Sequence, residues 1–356
     1  MRFSARTIDK LRHRMKRGPQ KGMIMATAAQ WIAGSRPRTL PMAVAPVLIG
    51  AAAAFAQPRH FGWFAYAPLA ETTCSPPSEA VTAQLIAALL ALVVSLALQV
   101  GVNYANDYSD GVRGTDDDRV GPMRLTGSGA AKPAQVKAAA FGSFGVAGLA
   151  GLGIVLLTGQ WWLIIAGVIC VLAAWWYTGG SKPYGYMGLG EIMVFIFFGL
   201  VATLGTSYAV IETAAARGVE AEFPLTTALV GAVSHGLIAS ALLMANNVRD
   251  IPTDREAGKL TLAARVGQRP ARWGYCLMLV IAVVIPLAFP LTGDSLWFLL
   301  VMLSWLVVLR PVRIMWPYRK TLPKGPALIP VLQQTSVVGL VFAATYSAAL
   351  LLQANV

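Results

Sequence analysis

The sequence predicts an all-α integral membrane protein, and three observations carry that prediction. Hydrophobic residues make up 56% of the chain and charged residues only 13%, with a mean hydropathy of +0.60. That is about half the charged fraction of a soluble domain. Apolar stretches of about 17–25 residues, the length that crosses a bilayer as a helix, recur along the whole chain. Basic residues then collect in alternate loops between these stretches. Backbone polar groups inside lipid must be satisfied within their own segment, so spans of this composition are helices.

Nine spans are expected, at residues 38–56, 83–105, 134–157, 160–177, 188–209, 226–248, 271–290, 295–312 and 328–352. Nine crossings place the N-terminus and every second loop on one side, which then holds 27 of the 29 lysines and arginines. Only Arg59 and Arg217 fall on the other. By the positive-inside rule the N-terminus is cytoplasmic and the C-terminus outside. The +13 net charge is therefore a topology signal and gives no reason to invoke nucleic acid. Residues 1–30 read as a basic, mobile cytoplasmic extension able to meet anionic headgroups. No separate hydrophobic region and cleavage site precede the first span, so no removable signal peptide is expected. Residues 31–356 read as one membrane domain with a central cavity open to the cytoplasmic face. Cys74, Cys170 and Cys276 show no metal spacing and no disulfide framework.

Each loop adds something. Pro37 and Pro41 suit the entry to the first helix. The outer loop at 57–82 carries Trp63, Phe64 and Tyr66, which suit a membrane interface. Gly179, Gly180, Pro183 and Gly185 shape a tight turn between the fourth and fifth spans. The loops after the second and sixth spans hold acid pairs in equivalent positions, a hint of two four-helix units followed by a ninth helix.

Those acids carry the chemistry. Asp107 and Asp110 are three apart, and Asp250 and Asp254 four apart, so each pair reads as one helical face. Carboxylates beside hydrocarbon are costly and mark function. Mg2+ takes oxygen ligands and is held by one or two carboxylates together with substrate phosphate oxygens. Asp116 lies within reach of the first pair from the loop. Two ions facing each other across the bundle would clamp one diphosphate as a leaving group. Arg119, Arg124, Lys132, Arg249 and Lys259 share these loops and can neutralise remaining phosphate charge. Histidine is nearly absent, which argues against zinc.

Other residues keep two readings. Tyr177 and Lys182 either reach over a bound substrate or anchor the interface. Glu191 orients a substrate hydroxyl or pairs with Lys182. Arg36 and Arg38 match an aromatic carboxylate bidentately or simply anchor the cytoplasmic side. The amides Asn103 and Asn246 either glue helices or line a polar cavity.

Taken together, Asn106-Asp107-x-x-Asp110 and Asp250-x-x-x-Asp254 resemble the UbiA superfamily of intramembrane aromatic prenyltransferases. The resemblance runs from about residue 31 to the end. Several details are similar to its menaquinone branch: Arg36-Pro37-Arg38-Thr39-Leu40-Pro41, Gly114-x-Asp116, Arg119-x-Gly121-Pro122-x-Arg124, Tyr177-Thr178-Gly179-Gly180, Gly188-x-Gly190-Glu191, and Asn246-Asn247-x-Arg249-Asp250 running to Gly258-Lys259-x-Thr261-Leu262. Two features depart from the superfamily pattern. Gly114 stands where a third Asp is usual, so Asp116 takes that role. Lys182 follows Tyr177 one residue later than usual. The resemblance implies a UbiA-type bundle in a bacterial cell membrane, with Asn106 and Asn247 among the substrate-binding residues. It further implies that polyprenyl diphosphate and 1,4-dihydroxy-2-naphthoate are joined with loss of carbon dioxide, on the way to demethylmenaquinone. A transporter would carry charge at the membrane midplane and broken helices across it. Here the charge sits at one face.

Overall fold

A computed structural model describes residues 26–57, 60–61, 78–114, 123–293 and 295–354. The basic segment 1–25, most of the outer loop, Asp116 and Arg119 lie outside the described residues.

Helix α1 (Ala28–Gly34) starts at a capping box between Thr27 and Gln30. It meets α2 (Pro41–Phe55) through a short turn, and the pair is bent by 51°. Then follow α3 (Ser78–Arg113), α4 (Pro133–Thr158), α5 (Leu163–Trp176), α6 (Gly190–Ala215) and α7 (Leu225–Glu256). The chain closes with the short α8 (Leu262–Val266), then α9 (Gln268–Thr292), α10 (Leu296–Met315) and α11 (Gly325–Gln353). The strands β1 (His60–Phe61) and β2 (Val219–Glu220) form one antiparallel pair, with His60 opposite Glu220. The expected all-α membrane architecture is present.

Seven helices are long and apolar enough to cross a bilayer, and the bent α1–α2 pair makes an eighth. The stretch expected to be the fourth span forms α5, an apolar helix shorter than these. Its 14 residues rise about 21 Å, against a hydrocarbon core of about 30 Å. Gly159 stops α4 in a left-handed conformation, Trp161 and Trp162 go into the turn, and α5 is shortened at its start. The short helix nonetheless runs alongside α6. Gln160 Nε2 bonds Glu212 Oε2 at 2.7 Å near the end of α6, and Tyr177 packs at Gly190, where α6 begins.

Large apolar side chains point outward. Leu149, Leu156, Ile165, Leu291, Leu296 and Leu306 are between 66% and 86% exposed, far more apolar surface than water tolerates. Inside, Tyr275, Leu279, Phe298, Phe342 and Tyr346 anchor the largest core cluster. Helix α7 is the most enclosed, with 67% of its apolar window buried against 22% for α3. The second acid pair therefore rides on the central helix.

Small residues and polar bonds hold the bundle. A Cβ at Gly199 would stand 2.6 Å from Gly236 Cα, so α6 and α7 touch at backbone distance. Here α6 widens into a π-helical stretch at Phe195–Val201. Pro46 sits inside α2 and has no N–H to give the Met42 carbonyl four residues back. His235 of α7 takes that place, its Nε2 3.1 Å from Met42 O.

Contacts sort the loops into two ends. Arg217 donates to the Leu157 carbonyl and Gln84 to the Val210 carbonyl, which gathers the ends of α4 and α6 and the start of α3. At the opposite end, Arg272 donates to the Ile314 carbonyl and Lys259 reaches Asp110. Both acid clusters lie at this second end.

Candidate functional site

Asp107 and Asp110 lie in the last two turns of α3, where the helix dipole disfavours negative charge. Neighbouring segments must hold these carboxylates, and they do so differently. Asp107, 1% exposed, accepts the backbone N–H of Leu125 at 2.7 Å and that of Thr126 at 2.9 Å. The segment that begins at Met123 is thus laid across the end of α3, and a Cβ at Gly111 would meet Thr126 Cγ2 at 2.5 Å. Asp110 faces elsewhere. Its Oδ1 accepts the Tyr186 hydroxyl at 2.7 Å, while Lys259 Nζ and Arg124 Nη2 stand 3.9 and 4.0 Å from its Oδ2. One shared helical face therefore serves two separate sets of partners.

The turn after α5 is clamped to the same helix end. The Thr178 hydroxyl donates to Asn106 Oδ1 at 2.7 Å, and the Arg113 guanidinium donates to the Thr178 and Gly180 carbonyls. Gly185 N–H returns to Tyr177 O at 3.0 Å, an approach that a Cβ at Gly185 would block at 2.6 Å. Arg113 and Lys259 lie over the Tyr186 ring, 5.3 and 5.0 Å from its centroid, within cation–π range. Tyr186 O accepts Leu260 N–H at 3.1 Å. Tyr186 thereby joins the first acid cluster to the loop that follows the second.

On α7, Arg249 grips Asp250 through Nε and Nη2, both at 2.7 Å, and its Nη2 also reaches Asn246 Oδ1 at 2.8 Å. The Thr261 hydroxyl lies 3.4 Å from Asp254 Oδ2. Asn247 donates to Glu191 Oε1 at 2.9 Å, so of the two readings for Glu191, a substrate hydroxyl or Lys182, the pairing with Lys182 gives way to one with an amide. Burial, then the charges of Glu191 and Asp110 and the neighbouring Tyr184, push the Tyr177 phenol far above its ordinary range, against a smaller opposing effect of Arg36. Tyr177 remains a neutral hydrogen-bond donor.

Arg36 is the one non-glycine residue with positive φ among the described residues, at 55°, a conformation that costs on the order of 1–3 kcal/mol. Its surroundings hold it there. Asn103 Nδ2 donates to Ser35 O at 2.8 Å, Gln99 Nε2 to Thr39 Oγ1 at 3.3 Å, and Thr39 Oγ1 to Arg36 O at 3.0 Å. Asn103 is thus a brace beneath Arg36. Arg38 is exposed, and its carbonyl accepts Ser336 Oγ at 2.7 Å. Lys132 and Lys182 are exposed too, and among the described residues no bond draws either into the site.

The donors are hard oxygens from Asp and Asn, ringed by Arg and Lys. Among the described residues no group of three or more His, Cys, Asp or Glu side chains can hold an ion alone. That pattern suits Mg2+, which shares its ligands with substrate phosphate and water. Arg113 and Tyr186 were given no site role from sequence, and Thr178 and Thr261 entered only as motif residues of the resemblance. Arg113, three residues after Asp110 in the last helical turn, carried the one usable signal, since a cation there complements the helix dipole.

The UbiA prenyltransferase family matches residues 43–325 of the chain. A 1,4-dihydroxy-2-naphthoate octaprenyltransferase of Mycobacterium tuberculosis is 44% identical over 326 residues, covering 92% of this chain and 98% of that protein. The Escherichia coli protein of the same name is 35% identical over 274 residues, covering 75% and 78%. In fold, the chain is similar to a UbiA homolog from Archaeoglobus fulgidus bound to DMAPP and Mg2+, with a TM-score of 0.56 at 16% identity over 90% of this chain and 99% of that one. It is likewise similar to the apo UbiA homolog from Aeropyrum pernix K1, with a TM-score of 0.61 at 14% identity over 87% and 97%.

Proposed function

Because the chain belongs to the UbiA prenyltransferase family, we propose that it transfers a long polyprenyl chain from polyprenyl diphosphate to 1,4-dihydroxy-2-naphthoate, in menaquinone biosynthesis. The observation that carries this reading is the 44% identity to a dihydroxynaphthoate octaprenyltransferase along 92% of the chain. The two acid clusters at one end of the bundle support it.

Asp110 and Asp254, with Asp250 and Asn106 beside them, would hold Mg2+, two ions in the full site. Bound Mg2+ supplies the positive charge that stabilises departing diphosphate. Arg124, Lys259 and Arg249 bind diphosphate oxygens by charge-assisted bonds. Arg249 already spans Asp250 and Asn246, so it positions the second cluster as well. Asp107 anchors the Arg124 segment through its two amide bonds. Arg36 holds the naphthoate carboxylate, and the neutral Tyr177 phenol donates a hydrogen bond at the reacting end. Among the described residues Glu191 Oε2 is buried without a hydrogen-bond partner and suits an acceptor hydroxyl. Packing of the 177–187 turn against Lys259 and Leu260 keeps water from the reacting centre.

In the reaction the allylic C–O bond breaks and diphosphate leaves. The naphthoate ring carbon bearing the carboxylate forms the new C–C bond and then loses carbon dioxide, giving the quinol of demethylmenaquinone. The protein is a multi-pass membrane protein. With basic residues concentrated at the site end, that end and the N-terminus face the cytoplasm.

Membranes containing the protein, given polyprenyl diphosphate and Mg2+, should release diphosphate when dihydroxynaphthoate is added and not when 4-hydroxybenzoate replaces it. Release with 4-hydroxybenzoate alone would overturn the acceptor.

A further inference from the structure

The last hundred residues are electrically one-sided. Between residues 257 and 356 the chain has a large excess of lysines and arginines over a single acid, Asp294. Helices α9 and α10 form an antiparallel hairpin, and in sequence that acid falls between them. The open end of the hairpin gathers Arg269, Arg272, Arg310, Arg313 and Arg319. Arg272 is fully buried there, and its guanidinium donates to the carbonyls of Ile314 and Pro323. It is thereby spent on the C-terminal end of α10, where a cation is favoured. Arg313 and Arg319 lie at the surface, and Arg319 folds back to donate to Arg313 O at 2.9 Å. Among the described residues no ion pair joins either to a carboxylate. With Val312 and Trp316 they line a surface depression of about 480 Å³.

Three aromatic rings fix the depth of this depression. Trp273, Trp316 and Tyr318 contact one another with centroids 5.3, 5.9 and 6.3 Å apart, and all three are exposed. Amphipathic rings of this kind settle at headgroup level. Arginine forks match phosphate oxygens, and basic pockets between membrane helices bind anionic headgroups. We propose that this depression binds the phosphate of an anionic glycerophospholipid, with Val312 and the tryptophan rings against the upper acyl chain. It is separate from the acid-lined site, whose Lys259 is already engaged by Asp110.

Native mass spectrometry of the purified full chain, titrated with phosphatidylglycerol or phosphatidylcholine, tests this. Phosphatidylglycerol should bind more tightly than phosphatidylcholine. Each basic group near an anionic surface is worth about a factor of five, so R313A/R319A should weaken phosphatidylglycerol about 30-fold. R313K/R319K should keep most of the affinity. An unchanged unfolding temperature in zwitterionic detergent should accompany both variants. Equal binding of the two lipids, or undiminished binding by folded R313A/R319A, would overturn the proposal. Millimolar inorganic phosphate should leave the lipid bound. Displacement would assign the site to a soluble phosphate and overturn the lipid.

Discussion

Replacing Asp107 by Asn separates two roles for the first aspartate. Asp107 is buried, and its two oxygens accept two backbone N–H groups, Leu125 at 2.7 Å and Thr126 at 2.9 Å. Asparagine keeps one acceptor oxygen and turns an NH2 donor toward the second amide. One charge-assisted bond is lost, worth about 1.5–3 kcal/mol, or roughly 10- to 150-fold in the local opening equilibrium. Hydrogen exchange should speed by that factor at Leu125 and Thr126 while the amides of α4 keep their protection. Mn2+ affinity, read by electron paramagnetic resonance in the presence of a non-hydrolysable diphosphate, should fall less in Asp107→Asn than in Asp110→Asn. If exchange at Leu125 and Thr126 is unchanged and Mn2+ affinity falls equally in both variants, Asp107 is a metal ligand and the anchor assignment is wrong.

Three further outcomes are expected. Arg36→Ala should raise the KM for dihydroxynaphthoate about 10- to 150-fold and spare that for prenyl diphosphate, while Arg38→Ala leaves both near normal; equal effects of the two would remove Arg36 from the acceptor site. Tyr186→Phe loses the hydroxyl bond to Asp110 but keeps the ring under Arg113 and Lys259. It should raise the Mg2+ concentration for half-activity about tenfold or more, with Tyr186→Ala worse; an unchanged Mg2+ dependence in Tyr186→Phe would dismiss the hydroxyl. His235→Leu should lower stability by about 1–3 kcal/mol by leaving the Met42 carbonyl without a donor. In a Pro46→Ala background the new N–H serves that carbonyl, so the same change should cost clearly less; equal costs in both backgrounds would refute the coupling.

The spans were legible because lipid demands long apolar helices, and the stretches at 83–105 and 226–248 stand inside α3 and α7. The bounds of helix α5 were less legible because Trp161, Trp162 and Tyr177 are as apolar as helix residues yet belong to turns, and hydropathy does not distinguish the two. The acids at 107, 110, 250 and 254 were legible as types, since a carboxylate beside hydrocarbon is too costly to be kept as surface decoration. Their partners were not. Asp107 binds backbone amides 18 and 19 positions away, which carry no side-chain signature, and Tyr186 meets Asp110 across 76 positions. Lys132 was chosen by loop membership and Lys182 by its place after Tyr177 in the turn, and neither fixes where a side chain points. Arg36 and Arg38 looked alike because their difference lies in a left-handed backbone at Arg36, set by Gln99, Asn103 and Thr39. Asp116 and Arg119 lie outside the described residues, so their expected roles stand as proposals.

Carbon dioxide release tests the central claim most directly. Purified protein is given carboxyl-labelled 1,4-dihydroxy-2-naphthoate, a polyprenyl diphosphate and Mg2+, and labelled carbon dioxide, diphosphate and prenylated product are counted together. One of each per turnover is expected, with all three lost on chelation and restored by Mg2+. Diphosphate released at the full rate without the naphthoate, or a prenylated product that keeps its carboxyl label, would contradict the account.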